Sequence, residues 1–143
     1  MYNVFKIIGL ILMILNFSIA QVSISGTPKS ITHNMSQEIP NITLPDLDYD
    51  LLLAQDLEEM DKNVPYRFGN PFDINFNLNN SGVWENVENG RVWRLSITSK
   101  NAYSINLLYD KFIIPRGAEL YVYNEDKTTI LGAFTNLNNK SYE

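Results

Sequence analysis

Histidine is the side chain that most readily moves protons near neutral pH. This chain has one, His33. A serine hydrolase needs that imidazole within hydrogen-bond reach of a nucleophile and of a carboxylate that orients it. His33 sits in Thr32-His33-Asn34, inside a polar stretch with nothing local to fix its ring, so it reads as a solvated loop histidine. There are no cysteines, which excludes thiol catalysis and cysteine-based zinc sites and leaves an exported domain to rely on its core. The catalytic, cofactor and metal assignments are therefore none.

Three other groupings need weighing. Asp46-Leu47-Asp48-Tyr49-Asp50 opens like a calcium loop, but such a loop wants Gly at position six and Glu at position twelve, where the chain has Leu51 and Leu57. The acids read as a helix-capping cluster, with a weak calcium site as the alternative. Glu58, Glu59 and Asp61 read as a solvated helix face, because a general acid/base pair needs burial to separate two pKa values. Trp93 alternates with Leu95 and Ile97 and is expected in the core. Trp84 lies in a short run and stays open between core and a platform for a sugar ring. Asn34-Met35-Ser36 and Asn41-Ile42-Thr43 match the glycosylation pattern, which matters only in a eukaryotic secretory host.

The elements that would carry these groups fall into three parts, 1–20, 21–62 and 63–143. Residues 1–20 have the organisation of a cleavable signal peptide. Lys6 is the only charge, an apolar stretch runs from Ile7 to Leu15, and Ser18 and Ala20 stand at −3 and −1 of a cleavage site. The stretch is short of the roughly 20 apolar residues that span a bilayer, and no second apolar run follows. The expectation is an exported chain, secreted or at the cell surface, without stable membrane insertion after cleavage.

Residues 21–62 are an acidic arm with a short helix. Residues 21–45, with Pro28, Pro40 and Pro45, show no amphipathic period and read as extended linker. Residues 46–62 read as a helix capped by Asp46 or Asp48, with Leu52, Leu53, Leu57 and Met60 on one face.

From residue 66 the period becomes two. Phe72, Ile74, Phe76 and Leu78 alternate with polar residues, as do Trp93, Leu95 and Ile97, and further runs cover 104–112, 118–123 and 129–134. Asn89-Gly90, Pro115-Arg116-Gly117 and Asn124-Glu125-Asp126-Lys127 supply turn chemistry between them. The fold class this predicts is mostly β, an antiparallel, jelly-roll-like sandwich. Asn136, Asn138, Asn139 and Lys140 read as a turn and not as a closing strand, so the sandwich is expected to be incomplete and the chain a truncated product or fragment.

Charge follows the same division. Residues 21–62 hold eight acids and two bases, whereas 63–143 hold eight of each, within a whole-chain charge of −5. Without a basic surface, nucleic acid is not an expected partner. Hydrophobic residues at 45% and charged residues at 19% are ordinary for a globular chain of 143 residues and exclude disorder throughout.

Several segments, in order, carry a resemblance. They are Val64-Pro65-Tyr66-Arg67-Phe68-Gly69, Ser81-Gly82-Val83-Trp84, Asn89-Gly90-Arg91-Val92-Trp93-Arg94-Leu95 and Ala102-Tyr103-Ser104-Ile105-Asn106-Leu107. Phe112 with Pro115-Arg116-Gly117-Ala118, then Leu120-Tyr121-Val122-Tyr123 and Leu131-Gly132-Ala133-Phe134-Thr135, complete the series. In this order, residues 64–135 resemble the N-terminal leader region of secreted bacterial trypsin-like serine proteases of the lysyl-endopeptidase kind, many of them delivered by a type IX sorting system. The resemblance implies a non-catalytic, pro-domain-like β-sandwich whose partner is the downstream protease domain of the same full-length chain. In that family the catalytic His, Asp and Ser lie in that later two-barrel domain, so none is carried onto this sequence. The alternatives are a stand-alone extracellular β-sandwich module that binds glycan or protein, and the leader of another exported hydrolase.

Overall fold

The computed structural model describes residues 23–59 and 65–140. Residues 1–20, expected to be a signal peptide, and Met60, Asp61 and Val64 lie outside the described residues. The chain divides into two compact units, one Lys29–Leu108, the other Met1–Pro28 together with Tyr109–Glu143. Among the described residues the regular structure is β-rich: three two-stranded sheets with short helices and no closed barrel.

The Lys29–Leu108 unit contains a single helical turn, α1 (Lys29–Thr32), then β1 (Asn41–Thr43), helix α2 (Tyr49–Glu59), β2 (Val83–Val87), β3 (Gly90–Arg94) and β4 (Ser96–Thr98). The stretch expected to be structureless linker supplies β1. It pairs parallel with β4, Ile42 beside Ile97, and the ladder is lengthened by Ser96 N–H to Pro40 O (3.0 Å) and Leu44 N–H to Thr98 O (2.8 Å). The Asn41 side-chain oxygen accepts from the Ser96 and Thr98 hydroxyls, both at 2.9 Å, which sets the register. Met35 and Leu44 of this stretch are buried. Three residues are too few for alternation to declare a strand. The 93–97 run, read as one strand, breaks at Leu95 and serves two sheets, β3 with β2 and β4 with β1.

Helix α2 starts where its cap dictates. The Asp48 carboxylate accepts from Leu51 N–H at 3.0 Å while the Asp48 carbonyl takes the first helical bond from Leu52 N–H, so Asp48 is the capping residue. The expected apolar face is not a buried one. Leu52 is half-buried, but Leu53 and Leu57 are 61% and 69% exposed. What packs on the helix is polar: Arg67 Nε lies 3.0 Å from Asp56, its Nη2 donates to Gln55, and Tyr49 O–H donates to the Lys100 carbonyl.

Two alternating runs do not become strands. Residues 72–78 form no ladder and end in a turn built by side chains. Asn77 N–H donates to Asn80 Oδ1 and Ser81 Oγ, and Asn77 Oδ1 accepts from the Asn79 and Asn80 amides. Asn and Ser side chains that capture local backbone groups take them from sheet pairing. The 104–112 run is likewise without a ladder.

In the second unit, β5 (Leu120–Tyr123) and β6 (Ile130–Phe134) form a hairpin. Its register runs from Leu120↔Phe134 to Val122↔Leu131, so β6 carries one extra residue, a bulge. Gly132 there has φ +122, and a Cβ would lie 2.5 Å from the Leu120 carbonyl. On the free side of β6, Ile24 and Ala133 exchange both backbone hydrogen bonds, at 3.1 and 2.7 Å, leaving Ala133 1% exposed. Phe112 packs edge-to-face with Tyr109 and with Phe134. The turn at 115–118 places Pro115 first, and the positive φ that its closing bond requires belongs to Gly117.

The end of this unit is a side-chain clamp. Asn139 Oδ1 accepts from Ile114 N–H at 2.8 Å and its Nδ2 donates to Ile114 O at 2.9 Å, after a short 3-10 turn (Asn136–Asn138) capped by Thr135. The polar run 136–140 thus acts as a turn, as its composition predicts, and substitutes one amide for a strand bridge. Asn139→Asp keeps the acceptor but sets a carboxylate against the buried Ile114 carbonyl. It is expected to cost about 1–3 kcal/mol in chemical denaturation, no less than Asn139→Ala.

Two phenols of this unit, Tyr109 and Tyr121, are held toward their protonated form. Burial raises Tyr109 above the ordinary 10.0. Tyr121 is raised by burial first, then by its hydrogen bond to Glu119 and that carboxylate's charge. The folded unit favours the protonated phenols, so their contribution is complete below the unfolded pKa of 10.0 and is lost as pH rises through the higher folded values. Tyrosinate absorbance should appear later in the folded chain than in denaturant, with stability falling above that pH. Coincident titrations would contradict this.

Candidate functional site

The β2–β3 hairpin has two faces of different chemistry. Its register pairs Trp84 with Trp93 and Asn86 with Arg91, which puts these four on one face. Val83, Glu85, Val87, Val92 and Arg94 take the other. The two-residue turn is Glu88-Asn89, with Asn89 at φ 66, so the Asn-Gly signal sits one residue later than a turn centred on both would place it.

On the tryptophan face both indoles are tied down. Trp84 Nε1 donates to the Leu78 carbonyl at 3.0 Å and Trp93 Nε1 to the Ser81 carbonyl at 2.7 Å, so the Asn-rich turn lies against the hairpin. Gly82, φ +75, lets the backbone pass the Trp93 ring, where a Cβ would come within 2.6 Å of it. Trp93, expected in the core, is only half-buried, its ring beside Gly82 and its N–H bonded to the Ser81 carbonyl. Trp84 is 40% exposed, and the Arg91 guanidinium lies 4.1 Å from its ring centroid. A sugar platform needs an open aromatic face, and one face of Trp84 already carries this cation. Trp84, Asn86 and Arg91 are exposed side by side on this face, a surface suited to a carboxylate or other oxyanion.

The opposite face buries the residue that alternation assigns to the polar side. The Arg94 side chain is 7% exposed and its partner Glu85 28%. Nη2 meets Glu85 Oε2 at 2.6 Å, Nη1 donates to the Ser36 carbonyl, and Glu85 accepts from Ser36 N–H at 3.0 Å. The pair therefore takes both backbone groups of Ser36 and pins the stretch containing Met35. Periodicity misses this because it counts a charged residue as solvated; a paired, hydrogen-bonded arginine can be buried. Glu85 and Arg94 lying diagonally across a hairpin is the signal that reveals it.

The remaining sequence candidates stay apart. His33 Nδ1 lies 3.0 Å from the Thr32 hydroxyl at an exposed position. Asp48 caps α2 and Asp46 reaches Lys100 at 3.5 Å. Among the described residues no group of three His, Asp or Glu side chains is close enough to hold a metal ion, and no helix is long and apolar enough to cross a membrane. No family model and no solved structure matches the chain.

Proposed function

We propose that this chain is the non-catalytic leader of a secreted trypsin-like serine endopeptidase, an antiparallel β-sandwich that assists folding of, or restrains, a protease domain in the same full-length chain. The observation that supports this reading is where the resembling segments fall. Ser81–Trp84 and Asn89–Leu95 form the Gly82–Trp93 contact and the β2–β3 hairpin. Leu120–Tyr123 and Leu131–Thr135 form β5–β6 with its bulge. Segments that are weak singly coincide with the positions that build the two hairpins.

The test adds the purified chain to a lysyl-specific trypsin-like protease. The expected result is slower hydrolysis or a higher refolding yield; no effect on either rejects the reading. The chain by itself should hydrolyse no peptide or ester above background, and activity that co-purifies and disappears in His33→Ala would overturn that. Export with cleavage after Ala20 belongs to the same proposal: N-terminal sequencing of the exported chain should begin at Gln21, and an uncut Met1 in the membrane fraction would contradict it. The exposed Trp84 and Arg91 favour a second reading, a stand-alone module that binds acidic glycan or protein. Quenching of Trp84 fluorescence by an acidic oligosaccharide, lost in Arg91→Ala, would select it.

A further inference from the structure

Lys100 stands where two kinds of backbone meet. Before it, β4 is extended, and β1 occupies only one of its edges. After it, residues 101–110 are exposed without a break, and 103–108 make no hydrogen bond to any described residue. The Lys100 side chain is itself 64% exposed. An endopeptidase takes its substrate as an extended segment paired along a cleft, and exposed, weakly bonded turns are where chains are nicked. The other described lysines lack this combination. The Lys29 carbonyl accepts from His33 N–H inside α1. Lys111 lies between Tyr109 and Phe112, whose rings pack together. Lys127 closes the β5–β6 turn onto the Asn124 carbonyl, with a strand on either side. Lys140 directly follows the Asn139 clamp.

Lys100 is held from one direction. Tyr49 O–H, at the start of α2, donates to the Lys100 carbonyl at 2.9 Å, and Asp46, just before that helix, reaches its ammonium at 3.5 Å. The turn adds one bond, Ala102 N–H to Ser99 O at 3.3 Å, with Asn101 at φ 58. The ion pair is exposed on both sides and holds little. The Tyr49 bond falls on the carbonyl that a protease would have to polarise.

We propose that Lys100–Asn101 is an endoproteolytic processing site for an exported endopeptidase that cleaves after lysine, and that Tyr49 guards it. This goes beyond the leader reading and does not depend on it. Water adds to the Lys100 carbonyl carbon and the bond to the Asn101 nitrogen breaks. The products are a Lys100 carboxylate and an Asn101 amine, and nothing is oxidised or reduced. Opening the turn breaks the Tyr49 bond and the Ser99–Ala102 bond and leaves both sheets of the Lys29–Leu108 unit intact. Such a local opening lies far below global unfolding in free energy, and the rate of cutting follows the population of the open turn.

The experiment is limited digestion of the exported chain by a lysine-specific endopeptidase, followed over time by intact mass and N-terminal sequencing. The first cut should release a fragment that begins at Asn101. Tyr49→Phe should speed that cut by roughly 2- to 10-fold, the population change that one hydrogen bond makes, and leave the cuts after Lys111 and Lys127 at their parent rates. A fold loosened throughout would speed all three together, so equal acceleration overturns the guard. Lys100→Arg should block this enzyme at position 100, and trypsin should restore the cut at the same bond. A first cut after any other lysine, Lys62 included, overturns the proposal, as does cutting at several lysines at one common rate.

Discussion

Replacing Gly82 with valine is expected to destabilise the Lys29–Leu108 unit by about 3–4 kcal/mol, a large part of the stability of a small domain. Two terms add. A β-branched residue at φ +75 is in left-handed backbone that costs about 1–2 kcal/mol, and its Cβ would enter the space of the Trp93 ring and the Arg94 carbonyl, both 2.6 Å away. Overpacking of this kind costs about 1–3 kcal/mol. The neighbours are a bonded indole and a strand carbonyl, neither the free end of a flexible chain, so relaxation is limited. Gly82→Ala should cost less, and part of its cost should vanish in a Trp93→Leu background, a coupling that a double-mutant cycle in urea measures. Equal costs in both backgrounds would remove the ring from the explanation.

The second large effect belongs to Arg94. Arg94→Met conserves much of the volume of the buried stem but removes the cation that pairs with Glu85 and the donor that serves the Ser36 carbonyl. Breaking a buried pair from one side typically costs about 3–5 kcal/mol. Glu85 reaches solvent at 28% exposure and keeps its bond from Ser36 N–H, so the lower end, about 3 kcal/mol, is expected. Arg94→Met with Glu85→Leu should recover part of the loss, because no charge is left unpaired. Exchange of the Ser36 amide should accelerate in the single variant. A loss within about half a kcal/mol, the range of ordinary surface substitutions, would show that the pair holds little.

Much of the local structure is legible in the residues. Asp46 and Asp48 announce the start of α2, with the fold choosing Asp48, as Asn124–Lys127 announces the β5–β6 turn and the Asn-rich end a turn without a strand. Each rests on groups a few residues apart, whose geometry the local chain controls. For the candidate site, alternation puts Trp93 in the core and Arg94 on the solvated side, whereas Trp93 is only half-buried, Trp84 is half-open and Arg94 is the buried residue.

What the sequence alone determined is therefore the β-rich class, the aspartate cap of α2 and the turns at 115–118, 124–127 and 136–139. What only the tertiary structure decided is which alternating runs find a partner. Runs 72–78 and 104–112 carry as clear a period as 130–134, yet only the last is in a ladder. The parallel partner of β4 comes from 41–43, a segment with no period to read. Alternation states which side of a strand prefers burial; it does not supply the second backbone whose N–H and C=O groups complete the sheet. That second backbone lies more than fifty residues away for β1 and β4, and only three-dimensional packing can bring it there.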